Sequence, residues 1–215
     1  MNENIKAIIF DVDGTLTNSS SWQVLTEGLQ ADFSKVMFYY KKLRDGSIPL
    51  AEATLGVTEA LSVKGPVEKV KLLQIYDAIP FKENLEIIID NLKKKYKLCL
   101  ISGSTDTYLE SVARRLGIDD YFACSSFILS PSGVLKDFNY RVDQAQAKVE
   151  FLNRFCQKND IKPSDCAAVG DSENDVELFK TVDKSVFIAS PASTPGLKRF
   201  AKYEIRDISE LLTIF

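Results

Sequence analysis

The stretch Ile5-Lys6-Ala7-Ile8-Ile9-Phe10-Asp11-Val12-Asp13-Gly14-Thr15-Leu16-Thr17 decides the fold. A short apolar run, Ile5 to Phe10, passes without a break into two aspartates and a glycine. A run apolar at every position but Lys6 over so short a span reads as a strand buried on both faces, which is the habit of a parallel sheet lying between helices. Asp11 and Asp13 alternate along an extended segment, and Gly14 allows the backbone to turn sharply around a small site. Two carboxylates this close repel each other unless positive charge lies between them. With oxygen ligands alone, Mg²⁺ is favoured over zinc. The plain structural alternative is a polar strand-end turn whose aspartate caps a following helix.

Further apolar runs follow at Leu98 to Ser102, Phe122 to Leu129, Cys166 to Gly170 and Ser185 to Ala189, and they alternate with amphipathic helical patterns. That alternation predicts an α/β fold, a Rossmann-like doubly wound parallel sheet covered on both faces. In such sheets ligands bind at the carboxyl ends of the strands, where the runs ending at Phe10, Ser102 and Gly170 give way to small polar or acidic residues. Between the first two runs the alternation stops. Trp22, Leu25 and Leu29, then Phe33, Val36, Met37 and Tyr40, recur at helical spacing, followed by Leu50 to Val63 and, after Pro66, Val67 to Ile79, closed by Pro80. The spacing predicts a helical cap over 17–80, inserted after the first strand of a core made of 1–16 and 81–215. Phe38, Tyr39 and Tyr40 read as the insertion's own core.

Composition narrows the chemistry. The 215 residues carry 27 basic and 30 acidic side chains, a net charge of −3, with no broad basic excess to hold nucleic acid or anionic lipid. No nucleic-acid or membrane partner is expected, and no apolar run reaches the ~18 residues of a membrane span. Histidine is absent, which excludes Ser-His-Asp and Cys-His triads and histidine metal ligands. Cys99, Cys124, Cys156 and Cys166 form no C-x-x-C motif and read as buried free thiols. That usage, with no export signal before Asp11, predicts a cytoplasmic protein.

Three further segments bear on function. Ser102-Gly103-Ser104-Thr105 joins a strand end to a helix pattern, where a hydroxyl and free backbone N–H groups make an anion site or simply a helix cap. Lys148 lies near the start of a helix with the apolar stripe Val149, Leu152 and Cys156, placed to offset a phosphate or an aspartate, or to stay in solvent. Gly170-Asp171-Ser172-Glu173-Asn174-Asp175 again leads from a strand into a helix. Its spacing can aim Asp171, Asn174 and Asp175 at one point.

In this order, Asp11-Val12-Asp13-Gly14-Thr15, Ser102, Lys148 and Gly170 to Asp175 together resemble the four motifs of the haloacid dehalogenase superfamily, and most closely its phosphoserine-phosphatase-like branch. The resemblance implies a phosphomonoester hydrolase that works through an aspartyl phosphate on a small phosphorylated metabolite. It implies Asp11 as nucleophile and Asp13 as the acid that protonates the leaving alkoxide and then the base that activates water. It places Mg²⁺ on Asp11, the carbonyl of Asp13 and Asp171, with Asp175 acting through water or at one remove. Ser102 and Lys148 would orient the phosphoryl oxygens, and Thr15, Gly103 and Asn174 would complete the substrate-binding set. Substrate-gripping residues of that branch are missing: Thr17 to Trp22 holds no glutamate, and residues 45–80 hold no arginine. A small neutral or mildly polar leaving group fits this composition. Two rivals keep the same residues: a phosphotransferase or phosphomutase passing the phosphoryl group to a second hydroxyl, and a non-enzymatic receiver-like phosphoacceptor.

Overall fold

The computed structural model describes residues 5–190, 193 and 196–215. Its centre is a seven-stranded sheet in the order β4-β3-β2-β1-β5-β6-β7. These strands are β1 (Ala7–Phe10), β2 (Lys97–Thr105), β3 (Asp120–Leu129), β4 (Leu135–Tyr140), β5 (Cys166–Gly170), β6 (Lys184–Ile188) and β7 (Tyr203–Ile205). Every neighbouring pair is parallel except β3 and β4, which run antiparallel. The doubly wound α/β architecture matches the expectation from the apolar runs.

Side-chain alternation explains why the central strands are apolar throughout. Along β1, Ile8 and Phe10 enter one apolar cluster while Ala7 and Ile9 enter a second on the opposite face. Leu98 and Leu100 of β2 join the first, and Cys99 and Ile101 the second. Helices α5 (Leu85–Lys93) and α6 (Asp106–Leu116) cover the first face through Ile88, Leu92, Leu109 and Val112. Helices α7 (Gln144–Asn159) and α8 (Val176–Thr181) cover the second through Phe151, Leu152, Phe155 and Leu178. Full burial of each such side chain is worth roughly 1.5–3 kcal/mol, so both faces need their helices. All four cysteines are buried free thiols.

Between β1 and β2, before α5, come α1 (Ser21–Gly28), α2 (Phe33–Arg44), α3 (Leu50–Leu61) and α4 (Lys69–Asp77). The chain leaves and returns at one place: Thr17 bridges Phe81, and the Lys82 N–H donates to the Leu16 carbonyl at 2.9 Å. Leu25, Val36, Val57 and Leu72 of these helices share the first apolar cluster with the sheet. Gly56 lets α2 and α3 approach, since a Cβ there would lie 2.2 Å from the Tyr39 ring. The aromatic trio divides: Tyr39 packs inside, Phe38 is exposed, and Tyr40 faces a cavity above the strand ends. Reading all three as core therefore holds for Tyr39 and Tyr40, which both pack against the first apolar cluster, and fails for Phe38, which lies two positions from Val36 and off the buried stripe.

Two strands lie outside the predicted runs. In β4 the sequence Leu-Lys-Asp-Phe-Asn-Tyr buries Leu135, Phe138 and Tyr140 and leaves the intervening residues more exposed. β7 has only three residues. Other bounds move slightly: β3 starts at Asp120, where it pairs with Cys99, and β6 spans Lys184–Ile188. The expected core segments 1–16 and 81–215 include residues 1–4, 191, 192, 194 and 195, which lie outside the described residues.

Candidate active site

Beyond β1 the chain turns through Asp13-Gly14-Thr15-Leu16, with Gly14 at φ +76°. A Cβ at Gly14 would lie 2.1 Å from Oδ2 of Asp171, so the turn needs glycine both for its dihedral and for the close approach of the β5 tip. Gly14→Ala is expected to push Asp171 aside, costing about 1–3 kcal/mol of stability and about 10–100-fold in divalent-metal affinity. Thermal unfolding with and without Mg²⁺ measures both.

Asp11 and Lys148 are fully buried beneath this turn. The Lys148 ammonium donates to Asp11 Oδ1 at 2.9 Å, Asn174 Oδ1 at 2.7 Å and Asp175 Oδ1 at 2.6 Å. One cation thus ties together the ends of β1, α7 and the segment after β5. Its position inside the protein, and not at the edge of the helix face, follows from these three acceptors, which use all three N–H bonds. Burial alone would lower the Lys148 pKa, but Asp11 and Asp175 outweigh it and hold the ammonium charged. Asp175 is committed on both oxygens. Its Oδ2 accepts from the backbone N–H groups of Asp171 and Ser172, each at 3.1 Å, and from the Ser172 hydroxyl at 3.2 Å.

Asp11, Asp171 and Asp175 present carboxylate oxygens within 4.8 Å of one another. Burial, together with the charges of Asp11 and Asp175, pushes the Asp171 carboxyl up to about 8. Burial likewise raises Asp11 to about 6 against the pull of Lys148. Ionising all three carboxyls together is therefore unfavourable with Lys148 as the one buried cation among them, a cost that a bound cation would relieve. Its all-oxygen donor set is that of a hard divalent cation.

Asp13 faces elsewhere. Its carboxylate accepts from the Ser21 N–H at 3.0 Å and the Ser21 hydroxyl at 2.6 Å, and burial raises it to about 7. Sequence reading expects a cation between the Asp11 and Asp13 carboxylates; in the structure the acidic cluster among the described residues is Asp11, Asp171 and Asp175, while the Asp13 carboxylate is turned to Ser21. Thr15, expected beside the substrate, donates its hydroxyl to Asp171 Oδ1 at 3.3 Å.

Ser102 and Gly103 line the cavity at the end of β2, and the Ser102 hydroxyl accepts from the Ser104 N–H at 3.4 Å. Asn174 lines it as well, donating to Gln144 Oε1 at 3.1 Å while its own Oδ1 receives Lys148. Several contributors carry no sequence signal of their own. Ser21 and Ser104 share a hydroxyl contact of 2.6 Å behind Asp13. Gln144 donates to the Gly103 carbonyl and the Tyr140 hydroxyl, both at 3.2 Å. Lys82 donates to the Gly14 carbonyl at 2.6 Å.

A doubly wound sheet with an acidic floor and a buried lysine at its strand ends is the apparatus of a phosphoryl-transfer enzyme of the α/β class. The family model for haloacid dehalogenase-like hydrolases matches residues 5–183, and the chain belongs to that family. It is 29% identical over 218 residues to a phosphoserine phosphatase of Methanocaldococcus jannaschii, covering 99% of this chain and 98% of that one. A phosphoserine phosphatase of Idiomarina loihiensis is 26% identical, covering 95% and 90% of the two chains. A solved substrate-bound phosphoserine phosphatase complex superposes with a TM-score of 0.75 at 25% identity, covering 98% of each chain. A phospho-aspartyl intermediate analogue of phosphoserine phosphatase gives 0.74 at 25% identity, covering 99% of each. The chain is accordingly a phosphatase of the haloacid dehalogenase-like hydrolase family, similar along its length to phosphoserine phosphatases, with an acidic cluster that could hold a metal ion. Likeness to phosphatases along the whole chain favours hydrolysis over the phosphotransferase and receiver readings. Among the described residues no helix is long and apolar enough to cross a membrane.

Proposed function

We propose that Asp11 is the nucleophile and Asp13 the acid–base of a Mg²⁺-dependent phosphomonoester hydrolase whose lid is the helical stretch 17–80. One observation carries this reading: Lys148 gathers Asp11, Asn174 and Asp175 from distant parts of the chain while Asp171 completes an all-oxygen cluster. Asp11, the aspartyl oxygen of Asp171 and the carbonyl of Asp13 would hold Mg²⁺, with Asp175 reaching it through water. When bound, the ion supplies positive charge to the phosphoryl oxygens and to the carboxylate that attacks.

An Asp11 carboxylate oxygen attacks phosphorus in line as the ester oxygen departs, and Asp13 gives its proton to that oxygen. The ionised Asp13 then takes a proton from water, whose oxygen attacks the aspartyl phosphate. Phosphate leaves, and both carboxyls return to their starting states. The Ser21 contacts fix Asp13 throughout. Lys148 and Ser102 offset and orient the transferred group, and Gly103 and Asn174 shape its surroundings. Reaction in the cytoplasm agrees with the four reduced cysteines.

Phosphoserine, from the names of the relatives, is the first ester to assay. Phosphate release from a panel of monoesters tests the reaction class. Exhaustive chelation with EDTA is expected to lower the rate at least about a hundredfold, and Mg²⁺ to restore it. Full activity after chelation would remove the metal from the mechanism.

A further inference from the structure

The cavity above the floor has a volume of about 530 Å³, within the range that buries a drug-sized ligand. Its walls come from α1, α2, α3 and β4. Trp22, Val36, Tyr40, Val57, Phe138 and Tyr140 define them, with Trp22 and Phe138 rings 5.8 Å apart and Tyr40 and Tyr140 rings 5.9 Å apart. Among the described residues, the charged side chains lining the cavity are Asp11, Asp13, Lys82 and Asp171. All four belong to the floor: Asp11 is held by Lys148, Asp13 by Ser21, Lys82 by the Gly14 carbonyl and Asp171 by Thr15. Arg44 stacks on the Tyr40 ring at 5.7 Å from an exposed position and does not line the cavity.

This distribution bears on what the phosphoryl group leaves with. An amino acid bound as its phosphate ester carries an ammonium and a carboxylate beyond the ester oxygen. Against the apolar walls both would lose water without gaining a partner of opposite charge, since Lys82 is anchored at the floor on the Gly14 carbonyl and Asn18, Ser19 and Ser20 offer only uncharged polar groups. An uncharged apolar body loses nothing of the kind and removes the aromatic walls from water. Resting on the hydrolase reading above, we infer that the substrate is a phosphomonoester of an uncharged, largely apolar alcohol with an aromatic body, held between α1, α2 and β4. Of the small neutral or mildly polar leaving groups that composition suggests, the walls favour the neutral kind, with an apolar body.

The test compares O-phospho-L-serine, propyl phosphate and 3-phenylpropyl phosphate, all esters of primary alcohols, so that leaving-group chemistry differs little. The apolar area of a phenyl ring gives an expected kcat/KM for 3-phenylpropyl phosphate about a hundredfold above the other two. Trp22→Ala and Met37→Arg, both at half-buried wall positions, are each expected to lower that preference at least about tenfold. Circular dichroism checks that they fold, and inhibition by 3-phenylpropylphosphonate against propylphosphonate gives the same ratio on the unaltered protein if they do not. Equal or better turnover of phosphoserine would overturn the inference while leaving the hydrolase reading intact. So would a preference unmoved in both folded variants. Silence on every ester with Mg²⁺ present would overturn the hydrolase reading and this inference with it.

Discussion

Asp11→Asn is expected to lower turnover of any monoester by at least about four orders of magnitude, as removal of a covalent nucleophile does elsewhere. The amide is nearly isosteric, so the packing of the buried β1 end should survive, and Lys148 can still donate to the amide oxygen. What disappears is the anionic oxygen that bonds to phosphorus. Acid-quenched enzyme incubated with labelled ester should carry covalent phosphate in the parent protein and none in the variant. Label on a residue other than Asp11 would require the roles to be redrawn.

Lys148→Ala is expected to act on stability as strongly as on rate. Removing the ammonium leaves Asp11 and Asp175 buried and uncompensated, and breaking a buried charge pair in this way costs about 3–5 kcal/mol. For a chain of this size that corresponds to a fall in Tm of about 10 °C. The rate should fall by about a hundredfold to a thousandfold from the lost electrostatic contact alone. Because the missing charge is a plain cation deficit, Mg²⁺ should raise the Tm of the variant more than that of the parent. Differential scanning calorimetry across a Mg²⁺ titration measures this, and an unchanged Tm without metal would show that the buried network is not what holds the floor together.

The fold was largely legible because its signals are local. Ile5 to Phe10 is apolar at every position save Lys6, which only a doubly covered strand explains, and the acidic or hydroxyl residues after Phe10, Ser102 and Gly170 follow in the same few residues. β4 escaped because its alternation is diluted by Asp137 beside Phe138, although Ser130-Pro131-Ser132-Gly133 marks the turn before it and Gly133 has φ +79°. The site was legible where identity carries chemistry, as at Asp11, Asp171 and Lys148. It was illegible where an ordinary residue becomes useful through tertiary approach. Ser21 is a helix-start serine until it meets Asp13, and Gln144 is a helix-start glutamine until α7 brings it against Gly103 and Asn174. Lys82 reaches Gly14 across 68 residues of sequence, a distance over which periodicity says nothing.

Phe138 and Tyr140 are two apart on β4, so the same pleat turns both into the cavity and their neighbours Asp137 and Asn139 away from it. The surface turn joining β3 to β4 sets which pair looks inward. Gain or loss of a single codon in that turn would slide the strand by one position and exchange an aromatic wall for an amide and a carboxylate. A lineage carrying this hairpin therefore has a one-step route from an apolar substrate to a cationic one, with every aspartate of the floor kept and only the Tyr140 support of Gln144 given up.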